Sequence, residues 1–117
     1  MKSNQPKHQR RTHLTPEMFN IHEEIKNKVG SSDSFIVDLA ISTYLPEQAP
    51  NDIPTEFMFT KNHKHYWNDS KQIVYLISHE NYVKLESFEL KFKVKKRTAT
   101  LYCLKKLYDN RDKFFGI

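Results

Sequence analysis

Apolar residues recur at helical spacing in the first stretch of the chain. Over Leu14–Val29 they form one stripe, which is the pattern of an amphipathic helix. Thr15 is a good N-cap, Pro16 fits the first helical position, and Gly30 can adopt the left-handed conformation that ends a helix. The pattern therefore predicts a helix with both ends marked.

A second apolar run, Phe35–Leu45, follows a Ser-Ser pair and stops at Pro46. Its apolar residues cover most of a helical circumference, which predicts a buried helix; a strand is the alternative, because several of them are β-branched. The helix–Gly–Ser–Ser–helix order is that of a helix-turn-helix motif. However, the second helix carries Asp33 and Asp38 and no basic residue, which is the wrong sign for approaching phosphate. We predict a plain helical hairpin.

The period changes to two after residues 46–54, a connection that holds three prolines. Alternation over Glu56–Thr60 predicts a strand, and His63–Trp67 either continues it or forms a separate short strand. Gln72–Ser78 is nearly all apolar, which is typical of a central strand. Residues 79–86 leave two alternatives open, a short helix capped by Ser78 or a loop.

The clearest alternation lies in Ser87–Arg97, where four apolar residues alternate with a glutamate and lysines. A period of two predicts a strand with one buried face and one wet face, which here is mostly lysine. A final helix follows, with Thr98 as its N-cap and a stripe formed by Leu101, Leu104, Tyr108, Arg111 and Phe115.

These elements predict an α+β fold with an N-terminal helical hairpin, an antiparallel sheet of three to four strands and a closing C-terminal helix. Residues 1–13 are polar and basic, so we predict a flexible basic arm there and a single domain over residues 14–117. We predict no internal repeat and no low-complexity segment.

Composition narrows the function classes. The 117 residues include only two glycines, too few for the glycine-rich loops that cradle nucleotide phosphates. A single cysteine precludes an internal disulfide and fits a reducing compartment. Neither a signal-peptide pattern nor an apolar run long enough to span a bilayer occurs, so we expect a cytoplasmic protein that does not enter membranes.

The net charge of +5 is unevenly distributed along the chain. Residues 1–28 carry +3, residues 29–60 carry −5 with no Lys or Arg, and residues 61–117 carry +7. Such a division indicates a basic surface for an anionic partner and a separate acidic surface.

Cations concentrate just before the predicted final helix, at Lys91, Lys93, Lys95, Lys96 and Arg97. The free N–H groups of a helix N-terminus already favour anions, and the hydroxyls of Thr98 and Thr100 would add donors. We predict a phosphate-binding surface at this junction. The alternative is a solvated basic edge that discourages sheet aggregation.

Two further stretches combine cations with polar or aromatic residues. Tyr66 and Trp67 could stack on bases while Lys64 meets phosphate, as in single-strand binders; an ordinary hairpin with a core tryptophan is the alternative. Arg10 and Arg11 in the arm could lie along nucleic acid.

Catalytic signals are weak. The His63-x-His65 spacing can chelate a metal but lacks a clear third ligand, and the histidines with Lys64 and Tyr66 are the groups that a metal-free ribonuclease would use. Nothing fixes their mutual geometry. We predict no metal, no cofactor and no catalytic residue, with an enzyme kept open as a minor alternative.

The leading hypothesis is a small basic accessory or regulatory protein that binds DNA or RNA mainly through phosphate contacts. The alternative is a protein-binding inhibitor or adaptor that acts on a partner without catalysis. A homodimer is compatible with the separate basic and acidic regions.

Overall fold

A computed structural model describes residues 7–58 and 69–117 and has an α+β fold. Its elements, in chain order, are β1 His8–Leu14, α1 Pro16–Val29, α2 Asp33–Tyr44, a 3₁₀ turn Thr55–Met58, β2 Lys71–Ile77, α3 His79–Phe92, α4 Lys96–Asp109 and α5 Arg111–Phe115. No helix in these two described stretches has the length and apolarity needed to cross a membrane.

Helices α1 and α2 form where the sequence predicts them, because their ends are capped as expected. The Thr15 hydroxyl accepts a hydrogen bond from the backbone N–H of Met18 at 3.2 Å, and Gly30 ends α1 at φ 66°. The Ser32 hydroxyl accepts from the N–H of Phe35 at 3.1 Å and starts α2. The helical prediction for Phe35–Leu45 is confirmed, and the strand alternative is wrong.

Helix α3 overturns the strand predicted over Ser87–Arg97. Ser78 caps it, as one of the two alternatives for residues 79–86 proposed, but the helix continues to Phe92. Leu85 and Phe88 are buried three residues apart, whereas Leu90 is 75% exposed. The same alternating residues can therefore form either the buried stripe of a helix or one face of a strand. Packing of the stripe against the core stabilises the helix.

Helix α4 lies at the centre of the molecule rather than closing it. It begins at Lys96, with Lys95 as an N-cap that makes no side-chain bond, so the prediction of Thr98 as N-cap is wrong. The predicted helix also breaks at Asn110, which separates α4 from α5. Nine side chains of α4 are buried, namely Thr98, Ala99, Thr100, Leu101, Tyr102, Cys103, Leu104, Leu107 and Tyr108.

The described residues contain two strands rather than the predicted three or four. β1 and β2 pair antiparallel from His8 opposite Ile77 to Leu14 opposite Lys71. Residues 8–13 are therefore part of the sheet and not of a flexible arm. The predicted strand Glu56–Thr60 overlaps the 3₁₀ turn Thr55–Met58, and His63–Trp67 lies outside the described residues.

The described part of the chain contains two copies of one β–α–α unit, contrary to the prediction of no internal repeat. Residues 8, 16 and 33 begin β1, α1 and α2, and residues 71, 79 and 96 begin β2, α3 and α4, a constant offset of 63 residues. The left-handed residues that end α1 and α3 obey the same offset, with φ 66° at Gly30 and 61° at Lys93. We call residues 8–44 the first unit and residues 71–109 the second unit.

Buried positions also follow the offset. Met18, His22 and Ile25 in α1 correspond to Asn81, Leu85 and Phe88 in α3, and all six are buried. Ile36, Val37, Ala40 and Ile41 in α2 correspond to Ala99, Thr100, Cys103 and Leu104 in α4, which are buried as well. The two units therefore use the same faces to build one shared core.

A two-fold relation connects the units. Arg11 pairs with Val74 at the centre of the strand register, and these two residues are also equivalent by the 63-residue offset. α2 packs against its counterpart α4. The connection between the units departs from this two-fold relation, because its 3₁₀ turn packs on α4 of the second unit. At this contact the carbonyl of Phe57 accepts a hydrogen bond from the Thr98 hydroxyl at 2.8 Å.

Candidate nucleic-acid interface

β1 and β2 form a two-stranded ribbon with one face toward the helices and one toward solvent. Successive side chains of a strand point to opposite faces, so the buried Thr12, Leu14, Ile73, Tyr75 and Ile77 mark the inner face. The remaining positions define the outer face, which consists of Gln9, Arg11, His13, Gln72, Val74 and Leu76. Val74 is 44% exposed and Leu76 is 42% exposed, although both are apolar.

The start of α2 lies beside the β2 edge of the ribbon. The backbone N–H of Leu76 donates a hydrogen bond to the Ser34 hydroxyl at 2.8 Å. Lys7, Ser32, Ser34 and Leu76 line one open cavity of about 340 Å³ at this place. α4 does not pack closely against β1 as α2 packs against β2, so the described helix N-terminus that borders the ribbon lies at its β2 edge.

The predicted cations Lys91, Lys93, Lys95, Lys96 and Arg97 form a basic corner where α3 meets α4. Lys91, Lys93 and Lys95 are exposed, while Lys96 and Arg97 are partly buried. Glu89 accepts a hydrogen bond from the Lys96 ammonium at 2.7 Å, and this bond raises the pKa of Lys96 above its ordinary value. The exposed lysines here follow a helix end and a turn rather than the wet face of a strand.

Thr98 and Thr100 do not face the solvent at this corner. Both are buried, and their hydroxyls donate to carbonyl oxygens of Phe57 and Lys96, each at 2.8 Å. Their hydrogen-bonding capacity as donors is used inside the fold. The predicted contribution of these two hydroxyls to a phosphate site therefore has no support in the geometry.

Arg10 and Arg11 lie on opposite faces of β1. Arg11 is exposed on the outer face, whereas Arg10 turns inward, with its guanidinium carbon 5.8 Å from the centre of the Tyr82 ring. The Lys96 ammonium approaches the same ring at 5.7 Å, and His8 stacks on it at 4.0 Å. Arg10 thus contacts α3 from the inner face of the ribbon. Lys64, Tyr66 and Trp67 lie outside the described residues.

One ion pair joins the helices of each unit, with its signs reversed between the units. Lys26 pairs with Asp33 at 3.1 Å in the first unit, and Glu89 pairs with Lys96 at 2.7 Å in the second. Residue 26 is equivalent to residue 89, and residue 33 to residue 96. The start of α2 is therefore acidic and the start of α4 is basic, although the two places are structurally equivalent.

His22 belongs to a buried network and not to the exposed ribbon. The Asp33 carboxylate accepts from Nε2 of His22 at 2.8 Å, so Nδ1 of the ring accepts the hydroxyl proton of Tyr108, also at 2.8 Å. Burial lowers the pKa of His22 despite the neighbouring carboxylate. Burial also raises the pKa of Tyr108 well above its ordinary value, and Tyr108 itself is 1% exposed. The network can stabilise the core but cannot reach a substrate.

In residues 7–58 and 69–117, no group of three or more His, Cys, Asp and Glu side chains is placed so that it could hold a metal ion. The pair His63 and His65 lies outside these residues. Cys103 is fully buried, and burial raises the pKa of its thiol to about 12, so it is not a reactive nucleophile.

Sequence reasoning missed most of the outer face. The sequence predicts an arm at Gln9 and a central strand at Gln72, Val74 and Leu76. The alternation of polar Arg11 and His13 with Thr12 and Leu14 was the available signal for β1. Comparison with models of known protein families, with curated proteins and with solved structures finds no match to this chain. The assignment of a function therefore rests on the geometry of the chain itself.

Proposed function

We propose that the protein binds double-stranded DNA by placing the outer face of the β1–β2 ribbon in the major groove. The observation that carries the proposal is an antiparallel two-stranded ribbon, packed on helices along its inner face, whose exposed outer face presents Gln9, Arg11 and Gln72. The major groove of B-DNA is about 12 Å wide and admits a two-stranded β-ribbon. A regulatory role follows most naturally from such binding.

The outer-face side chains match the edges of the bases. Arginine can donate two parallel hydrogen bonds to guanine, glutamine can bond both major-groove atoms of adenine, and apolar side chains contact the methyl group of thymine. Arg11, the two glutamines Gln9 and Gln72, and the exposed Val74 and Leu76 supply these three kinds of contact. The inner face is held by the core, so the outer side chains project from a rigid support.

Phosphate contacts come from the flanks of the ribbon. The start of α2 beside the β2 edge provides N–H donors, and the basic corner at the start of α4 provides the charge of its exposed lysines. Contacts of this kind fix the orientation of a protein on the duplex but carry no sequence information. Affinity is therefore expected to fall with salt, by roughly one power of salt concentration for each phosphate contacted.

Fluorescence anisotropy tests the proposal with labelled duplex DNA, duplex RNA and single-stranded DNA of the same sequence at physiological salt. Duplex DNA is expected to bind best, because the major groove of A-form RNA is too narrow for the ribbon. Arg11→Ala is expected to weaken binding about tenfold or more. Lys113→Ala removes the same charge from an exposed position of α5 and serves as the matched control.

Two results would contradict the proposal. Equal affinity for duplex RNA and duplex DNA would mean that binding is through charge alone. Equal effects of Arg11→Ala and Lys113→Ala would mean that the outer face does not touch DNA. If no nucleic acid binds at physiological salt, the protein-binding inhibitor or adaptor becomes the leading hypothesis, and an affinity pull-down is the next measurement.

A further inference from the structure

We infer that a single chain reads both halves of a non-palindromic DNA site. The two half-sites carry the same base at their outer positions and different bases near the centre of the site. The inference rests on the proposed function, because it takes the ribbon as the DNA-reading surface. It comes from the 63-residue relation between the units, which shows which outer-face residues would occupy equivalent places in two half-sites. A reader with exact two-fold symmetry would demand a palindrome, as symmetric dimers do.

The outer positions of the ribbon are identical in the two units. Gln9 and Gln72 are equivalent by the offset and lie toward opposite ends of the ribbon, because Gln9 pairs with Leu76 and Gln72 pairs with His13. Each glutamine therefore meets the same kind of base edge in its own half-site. Adenine is the base that glutamine reads best in the major groove.

The centre of the ribbon is different in the two units. Arg11 is equivalent to Val74, and the two residues face each other across the two-fold relation. Arg11 favours guanine through two hydrogen bonds, whereas Val74 offers only an apolar surface that suits a thymine methyl group. His13 and Leu76 differ in the same sense, polar in the first unit and apolar in the second. One half-site should therefore contain a central guanine and the other a central thymine.

The flanks add a second asymmetry. The start of α4 carries Lys95, Lys96 and Arg97, while the equivalent residues at the start of α2 are Ser32, Asp33 and Ser34. Phosphates beside the second helix pair meet excess positive charge. Those beside the first meet N–H and hydroxyl donors together with the negative charge of Asp33, which Lys26 offsets in part at 3.1 Å. The chain would therefore bind its site in one orientation and not in both.

The inference can be tested by selecting bound duplexes from a random-sequence library with the full chain at physiological salt. The expected consensus is non-palindromic, with adenines in both half-sites and a central guanine in only one, bound by one chain per duplex. A palindromic consensus, or two chains on each selected duplex, would overturn the inference while leaving duplex binding intact. No enrichment of any sequence over the library would instead contradict the proposed function.

A symmetrised variant sharpens the test. Val74→Arg with Leu76→His gives the second strand the outer residues of the first, and both sites are exposed, so the fold should tolerate the changes. The variant is expected to select a palindrome with a guanine in each half and to bind the wild-type site about tenfold more weakly. An unchanged consensus, with an unchanged circular dichroism spectrum and melting temperature, would overturn the inference.

Discussion

The buried network around His22 allows a stability prediction with a defined magnitude. His22 is fully buried, and its ring joins Tyr108 and Asp33 through two hydrogen bonds of 2.8 Å. Tyr108→Phe would leave Nδ1 of His22 without a donor, which costs about 1–3 kcal/mol for a buried acceptor. For a chain of 117 residues this lowers the melting temperature by roughly 3–5 °C per kcal/mol.

Removing both partners together should cost much less than the sum of the single changes. His22→Leu places a leucine where the second unit has the equivalent, fully buried Leu85, and Tyr108→Phe then leaves no unpaired ring nitrogen. Asp33 keeps Lys26 as a partner at 3.1 Å. A double-mutant cycle is therefore expected to give a coupling energy of about 1–2 kcal/mol.

The assay is urea unfolding followed by far-ultraviolet circular dichroism at about pH 8, where an unfolded histidine is neutral. Equal slopes of the unfolding free energy against urea would show that the four proteins unfold the same surface. Additive losses in the double mutant, or a loss below about 0.5 kcal/mol for Tyr108→Phe, would refute the proposed pairing of the ring with the hydroxyl.

Three other predictions concern titration, backbone strain and thiol reactivity. Because burial lowers the pKa of His22, the unfolded chain takes up a proton at higher pH than the folded chain does, and the free energy of unfolding should fall as the pH drops below about 6.5, by at most about 1.4 kcal/mol per pH unit. His22→Leu should lack this pH-dependent loss. Equal pH profiles of stability for the two proteins would contradict the prediction. Lys93 adopts φ 61°, so Lys93→Gly should raise the free energy of unfolding by up to about 1 kcal/mol. At Gly30 an added Cβ would meet no atom within 4 Å, so Gly30→Ala should lower the free energy of unfolding by about as much through backbone strain alone. Thermal melts in which the two substitutions shift stability in the same direction would disprove this prediction. Cys103 should resist iodoacetamide in the folded protein and react after denaturation, as mass spectrometry can follow, and rapid labelling of the native chain would count against its burial.

The sequence predicted the helices whose ends carry conventional signals. Thr15, Pro16 and Gly30 mark α1, and Ser78 marks the start of α3. The end of α3 was hidden, because Lys93 takes the left-handed conformation that glycine adopts at the equivalent position 30. Without that stop signal, the alternation around Phe88 and Phe92 predicts a strand.

The repeat could not be recognised from residue identity. Only four of the 38 positions in residues 8–45 are identical to their counterparts in residues 71–108, at Gln9, Glu17, Glu23 and Lys28 of the first unit. What the two units share is the burial of equivalent positions, and burial becomes visible only when the helices pack. The candidate site shows the same limit, since the basic corner was evident from charge, whereas the outer face requires knowledge of which strands pair.

The joining of the two β–α–α units on one chain has a consequence for assembly. A ribbon built from two separate chains falls apart on dilution, because its stability depends on the concentration of the protomers. Here residues 45–70 tether the units, so β1 and β2 meet at an effective local concentration that is independent of how much protein is present. The ribbon should therefore stay intact in a cell that holds only a few molecules, and its unfolding midpoint should be the same in dilute and in concentrated solution.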